Sequence, residues 1–246
     1  MNETAITVAG LTVLLRHRHL SRRLTDTRFH ASPGAEPDFC ADVSEEDLVR
    51  EREKAKLEYV NDQIRFRRLS PPEVEFTALY RAIAEELPAY RDAVMHGVAL
   101  AVGEHAFLLA APSGVGKTTH AKLWLNEIPG ARIIDGDKPI LRIFPDGVLR
   151  VCGTPWNGKE RLGSAECVPL DAVCFLSRAA ENSIRPAALS EVAPRLLSQT
   201  HRPETPAALA ATLALLRDAA QHLRFFSLAC NTDPAAARLA WEAMRP

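Results

Sequence analysis

Much that would classify a chain quickly is missing from these 246 residues. No apolar run approaches the roughly 20 residues a membrane-spanning helix needs. The opening MNETAITVAG lacks the basic-then-apolar plan of a secretory leader. Neither sign of charge dominates: 30 Lys and Arg meet 31 Asp and Glu, for a net charge of -1, which argues against an electrostatic mode of nucleic-acid binding. There is no internal repeat, no low-complexity tract and no Asn/Thr-Lys-x-Asp segment of the kind that reads guanine. The five cysteines, Cys40, Cys152, Cys167, Cys174 and Cys230, include no CxxC pair. An odd count without that pair predicts reduced thiols, mostly small core residues, rather than a disulfide frame or a zinc site. The expectation is a soluble cytoplasmic protein with no membrane and no nucleic-acid partner, of one large or two small domains.

What is present concentrates between residues 106 and 128. Residues 106–110 (AFLLA) are a short apolar run suited to a buried strand, and Ala121, Leu123, Trp124, Leu125 and Ile128 then recur at helical spacing. Between them stands APSGVGKTT, so the order is strand, glycine-rich turn, helix, which is that of a phosphate-binding loop. Its nucleotide-binding residues are Ser113, Gly114, Val115, Gly116, Lys117, Thr118 and Thr119. Gly114 and Gly116 let the backbone bend until its N–H groups converge on phosphate oxygens at the positive end of the following helix. Lys117 supplies a point charge for the outer phosphates, and the Thr118 hydroxyl can ligate Mg²⁺. The motif normally opens with Gly; here Ala111 holds that place, where a methyl group removes none of the phosphate donors.

Around this centre the chain reads as mixed α and β structure. Residues 6–15 alternate around Ala9-Gly10 as a hairpin or bent strand, and 16–38 read as an exposed loop. Ser44-Glu45-Glu46-Asp47 resembles a capping box opening a charged helix to about residue 59, and Pro71-Pro72 starts a second helix that ends near Pro88. The basic segment Ile64-Arg65-Phe66-Arg67-Arg68 reads as a solvated edge, with an acidic partner as the alternative. Residues 98–102 and 106–110 form a hairpin leading into the loop. Further strands are expected at 132–135, 140–144, 148–151, 168–176 and 225–230, with helices at 190–199, 206–222 and from Asp233. The boundary falls near residue 90, giving a smaller N-terminal α+β region (1–90) and an α/β nucleotide-binding domain (91–246).

Two segments downstream add chemistry. In Ile133-Ile134-Asp135-Gly136-Asp137-Lys138-Pro139, an acidic residue at the end of an apolar strand is the usual second Mg²⁺ partner. Asp135 and Asp137, two apart, share a face of the strand unless Gly136 starts a turn. Residues 153–163 (GTPWNGKERLG) are rich in turn formers yet carry Trp156, Lys159 and Arg161. Lys159 or Arg161 there can neutralise charge on a transferred phosphoryl group. His120, on the first helical turn, reads as a structural hydrogen-bonding residue.

Taken together, His96-Gly97, SGVGKTT and DGDKP resemble the kinase core of bacterial HPr kinase/phosphorylase, itself related to the phosphate-loop region of phosphoenolpyruvate carboxykinase. APSGVGKTTHAKLW, GDKP and GTPWNGK resemble the small HPr-kinase-like proteins still more closely, over about residues 94–176. The fold implied is an α/β HPr-kinase/PEP-carboxykinase-like phosphate-loop core, with a smaller N-terminal α+β region and C-terminal helices. The activity implied is ATP- and Mg²⁺-dependent transfer of a γ-phosphoryl group to a hydroxyl, with Ser the expected one, of a protein, peptide or small molecule. A homo-oligomer is left open. Carried over position by position, the resemblance makes His96, Lys117, Asp137 and Lys159 the catalytic set and Thr118 and Asp137 the metal ligands. The family's general base, the first Asp of an Asp-Asp pair, falls on Gly136 here, so Asp135 or His96 would substitute. The alternative is a nucleotide-binding regulatory module that transfers nothing.

Overall fold

The computed structural model describes residues 1–19, 21–62 and 69–246, and the basic segment at 64–68 lies outside them. The chain divides into two compact units, Met1–Glu86 and Leu87–Pro246. In the first, β1 (Asn2–Val8) and β2 (Leu11–His17) form an antiparallel hairpin turned by Ala9 and Gly10, and β3 (Phe39–Ala41) adds in parallel to β2. Helix α1 (Glu45–Asp62) is opened by the expected capping box: the Asp47 N–H donates to Ser44 Oγ, and the Asp47 carboxylate accepts from the Ser44 N–H at 2.9 Å. Helix α2 (Pro71–Glu86) follows. The 16–38 stretch is more ordered than a free loop, because β2 runs on to His17 and Leu24 and Phe29 are buried.

The second unit is a mixed α/β layer structure. Its strands are β4 (Asp92–Val94), β5 (Gly97–Val102), β6 (His105–Ala110), β7 (Ala131–Asp135), β8 (Ile140–Ile143), β9 (Leu149–Cys152), β10 (Cys167–Arg178), β11 (Ser183–Pro186) and β12 (Arg224–Cys230). Its helices are α3 (Lys117–Glu127), α4 (Leu189–Ser198), α5 (Pro206–Ala220) and α6 (Ala235–Met244). None of the helices among the described residues is long and apolar enough to cross a membrane. Strand β10 organises the sheet. Its first residues pair antiparallel with β9, and after a register shift at Leu170/Ala172 it pairs in parallel with β6 on one side and β12 on the other. The expected β5–β6 hairpin is present, with Gly97 opposite Ala110 and Val102 opposite His105. The short strands β4 and β11 are additions that the sequence pattern did not predict.

Both faces of this sheet are covered, which is why its strands read as apolar runs rather than as alternations. Along β10, Val173 and Phe175 join Leu108, Val192, Leu196 and Leu216 in one core, beneath α4 and α5. Their neighbours Ala172, Cys174 and Leu176 join Phe107, Leu109, Trp124, Ala237 and Met244 in the other, beneath α3 and α6. Trp241 lies edge-on to both Phe107 and Trp124.

The cysteines correct one expectation. Cys152 and Cys167 stand directly opposite on β9 and β10 and are joined as a disulfide, with Cα atoms 4.1 Å apart. Cross-strand register decides this pairing, and neither spacing nor count reveals register. Cys40, Cys174 and Cys230 are free, and Cys174 is the small core residue anticipated.

Asp92 on β4 is fully buried, and neither of its carboxylate oxygens has a hydrogen-bond partner among the described residues. Arg142, opposite it on β8, comes to 3.6 Å. Burial pushes the Asp92 carboxyl up to about 8, against the Arg142 charge. Between an unfolded value near 4 and this folded value, the native state holds a proton that the unfolded state has lost. Stability therefore falls as pH rises through that window. Asp92→Asn should raise the melting temperature by several degrees at pH 8, and the gain should vanish as pH approaches 4. A thermal-melt series from pH 4 to 8 checks both ends.

Candidate functional site

The site is built where the chain leaves β6. Ala111 is buried in the core under α3, so its methyl group is a packing element. Gly114 and Gly116 have φ of 78° and 120°, and a Cβ at either would meet nothing within 4 Å. Conformation, not space, requires glycine there. Helix α3 then starts with no side-chain cap on its N-terminus among the described residues, so its first N–H groups remain available to a ligand. Ser113 and Thr119 are exposed, and Val115 and Thr118 are half-buried. Lys117 is buried and folds back, its ammonium donating to the Ala111 carbonyl at 2.7 Å. Burial brings this lysine down to about 8, with the Asp137 charge opposing and that of Lys138 reinforcing the shift. His120 has the structural role expected: it is buried and accepts a hydrogen bond from the Trp124 indole at 3.2 Å.

The segment after β7 forms the second wall. Asp135 is fully buried and its two oxygens accept four hydrogen bonds. One oxygen takes the N–H groups of Asp137 and Lys138 at 2.8 and 2.7 Å, and the other takes the N–H and hydroxyl of Thr154 at 2.8 and 2.9 Å. Burial raises this carboxyl to about 7 against those donors. With β7 ending at Asp135, Gly136 begins a bend and the two aspartates part. Asp135 faces inward as a staple, whereas Asp137 keeps a half-exposed carboxylate, 3.5 Å from His96 Nε2. A Cβ at Gly136 would stand 2.7 Å from the Asn157 carbonyl oxygen and 3.1 Å from that of Leu162. That position is closed to any side chain.

His96 sits between two backbone anchors. Its N–H donates to the Gln199 carbonyl at the end of α4, and the next N–H, of Gly97, donates to the Asp137 carbonyl at 3.1 Å. Burial, then the charges of Lys138 and Lys117, push the imidazole down to about 3, partly offset by the Gln199 side chain. The ring is neutral at physiological pH.

The 153–166 loop closes the third side. Its start lies so close to β7 that a Cβ at Gly153 would stand 2.5 Å from the Ile134 carbonyl oxygen, and 1.8 Å from that of Ser164 at the other end of the same loop. Trp156 and Asn157 are buried. Gly158, with φ of 82°, lies against Asp137, its would-be Cβ 3.3 Å from that of the aspartate. Glu160 forms an ion pair with Lys122 of α3 at 2.8 Å. Lys159 is thus strung between a contact with the acidic bend and a contact with the helix that follows the glycine-rich loop. Its side chain is exposed and makes no hydrogen bond or ion pair among the described residues. Arg161 is also exposed and adopts φ of 55°, a left-handed conformation unusual for a residue with a Cβ.

His96, Lys117, Asp137 and Lys138 therefore form one electrostatic cluster, with Lys159 beside it and not joined to it by a side-chain contact. Three participants carried little sequence signal: Gln199 at a helix end, Thr154 as a partner for Asp135, and Arg178. The last overhangs the glycine-rich loop from the end of β10 and donates to the carbonyls of Gly114 and Val115 at 2.5 and 3.2 Å.

No family model matches the chain, and no curated protein matches it. Among solved structures, the chain is similar to the Hpr(Ser) kinase/phosphatase from Coxiella burnetii. The two share 13% identity over 51% of this chain and 89% of that one, with a TM-score of 0.28. This records a distant structural relationship only.

The two aspartates should separate in stability. Asp135→Asn sets an amide NH₂ against two buried donors and should cost about 3 kcal/mol. Asp137→Asn, half-exposed, should leave the melting temperature within a degree or so of wild type. Paired thermal melts make the comparison.

Proposed function

We propose that this protein binds Mg-ATP at residues 111–119 and transfers the γ-phosphoryl group to a hydroxyl, of the serine type, on a protein, peptide or small molecule. One observation carries the reading. Two left-handed glycines bend a loop into an uncapped helix N-terminus, with Lys117 inside it and Asp137 within electrostatic reach. The Thr118 hydroxyl and the half-exposed Asp137 carboxylate are the hard oxygen donors that Mg²⁺ prefers, and a nucleotide and water would complete its shell. When bound, the ion would draw negative charge from the outer phosphates.

The chain's own residues have separable tasks in this reading. Lys117 exchanges its loop carbonyls for phosphate oxygens. Lys159, on the loop that touches both Asp137 and α3, stabilises the charge spread over the transferred oxygens. His96 receives the acceptor's proton. It is a weak base in the free protein, which suits a loose, metaphosphate-like transfer in which the hydroxyl proton leaves late. Asp135 cannot share that task while four donors hold it.

A second reading, a nucleotide-binding regulatory module, draws on the closure of position 136 to any carboxylate. Incubation with [γ-³²P]ATP and serine-containing acceptors separates the two, because transfer labels the acceptor and a regulatory module labels none. Lys117→Ala should weaken Mg-ATP binding at least about tenfold, the loss of one charge-assisted phosphate contact. Calorimetric titration measures it, and wild-type protein that takes up no Mg-ATP would remove the whole reading.

A further inference from the structure

We propose that Arg178 is a positioning residue that holds the glycine-rich loop in its ligand-accepting conformation, acting on whatever polyphosphate the loop receives. The proposal rests on the nucleotide-binding reading above and adds to it a residue from outside the loop motif. Its origin is a difference in strand length. Ala110 is the last residue of β6 and pairs with Phe175, yet β10 continues through Leu176 and Ser177 to Arg178. Support from β12 makes the overhang stable, since Leu176, Ser177 and Arg178 pair with Leu228, Ala229 and Cys230. The three extra residues carry the Arg178 guanidinium past the sheet edge and onto the loop, where it donates to the Gly114 and Val115 carbonyls.

The chemistry of that contact is directional. A loop that turns its N–H groups toward an anion must turn the carbonyls of the same peptide units away from it. The two carbonyls that Arg178 holds belong to the peptide units whose N–H groups are those of Val115 and Gly116. The Val115 N–H otherwise makes only a long turn bond, 3.4 Å, to the Pro112 carbonyl. A cation on the oxygen side of a peptide polarises it and strengthens its N–H as a donor. It also fixes two glycine-flanked units that would otherwise lose much conformational freedom on binding. Arg178 is exposed and outside both core clusters, so its replacement leaves the fold intact.

The test uses the full chain, Arg178→Met and Arg178→Lys, with three probes: Mg-ATP, Mg-GTP and inorganic tripolyphosphate. Arg178→Met should weaken all three by a similar factor, roughly tenfold, with Arg178→Lys between it and wild type. In the ligand-free protein, hydrogen exchange at the 114–116 amides should become severalfold faster while the melting temperature stays unchanged. Unchanged exchange in Arg178→Met overturns the proposal. So does a loss confined to the two nucleotides, which would mean that the side chain reads the nucleoside. Wild-type protein that binds none of the probes defeats the nucleotide reading instead, and the exchange measurement still decides whether Arg178 orders the loop.

Discussion

The buried carboxylate of Asp135 is the constraint on which the rest of the site depends. It is wholly buried, and four donors hold it from two different segments. Two donors belong to the acidic bend and two to Thr154, at the start of the 153–166 loop. The carboxylate thus joins the end of β7 to a loop that begins beyond two further strands. Glycines at 136, 153 and 163 allow the backbones to approach where any side chain would collide. With the bend fixed, the Asp137 backbone carbonyl can accept from Gly97, and His96 is held against the Asp137 side chain. A functional cleft assembled from four separate segments needs such a shared anchor, since each alone would lose its geometry to backbone freedom.

Strand β10 supplies the complementary rigidity. It serves two parts of one sheet in succession, antiparallel with β9 over its first residues and parallel with β6 and β12 farther along. The Cys152–Cys167 disulfide ties the start of this strand to β9 at the base of the 153–166 loop. The far end overhangs the 111–119 loop. One strand therefore fixes both the loop that carries Lys159 and the loop that carries Lys117, from opposite ends and with both faces packed.

What could be read from the residues alone follows from what is local. The β5–β6 hairpin, the glycine-rich turn into α3 and the Ser44 capping box are decided by neighbours within a few positions, and each took the expected form. The disulfide, the parallel pairing of β10 with β12 and the inward turn of Asp135 depend on register or on a partner far along the chain. Asp135 shows the difference well. Two aspartates two positions apart look equivalent in a strand pattern, and only the bend at Gly136 and the donors of Thr154 make one a buried staple and the other a half-exposed carboxylate beside His96. Arg178 was hidden for a similar reason. An arginine at the end of an apolar run reads as a solubilising terminus until the relative lengths of two adjacent strands are known. Gln199 carried no local signal, being an ordinary residue at a helix end whose backbone happens to meet His96.

The charges converging on the cleft explain why its groups are shifted together. Lys117 and Lys138 bring two cations; Asp137 is the carboxylate that answers them, while His96 is neutral and Asp135 is engaged elsewhere. Each cation lowers the affinity of its neighbours for a proton, and burial lowers it further. Lys117 is moved toward neutrality by the same surroundings that keep the His96 ring uncharged. An anion placed between these groups would reverse both effects, because negative charge there favours the protonated lysine and makes the imidazole a stronger base. The closure of position 136 fits this logic. A second carboxylate there would offset the cations further, whereas a glycine adds no charge to those of Lys117, Lys138 and Asp137.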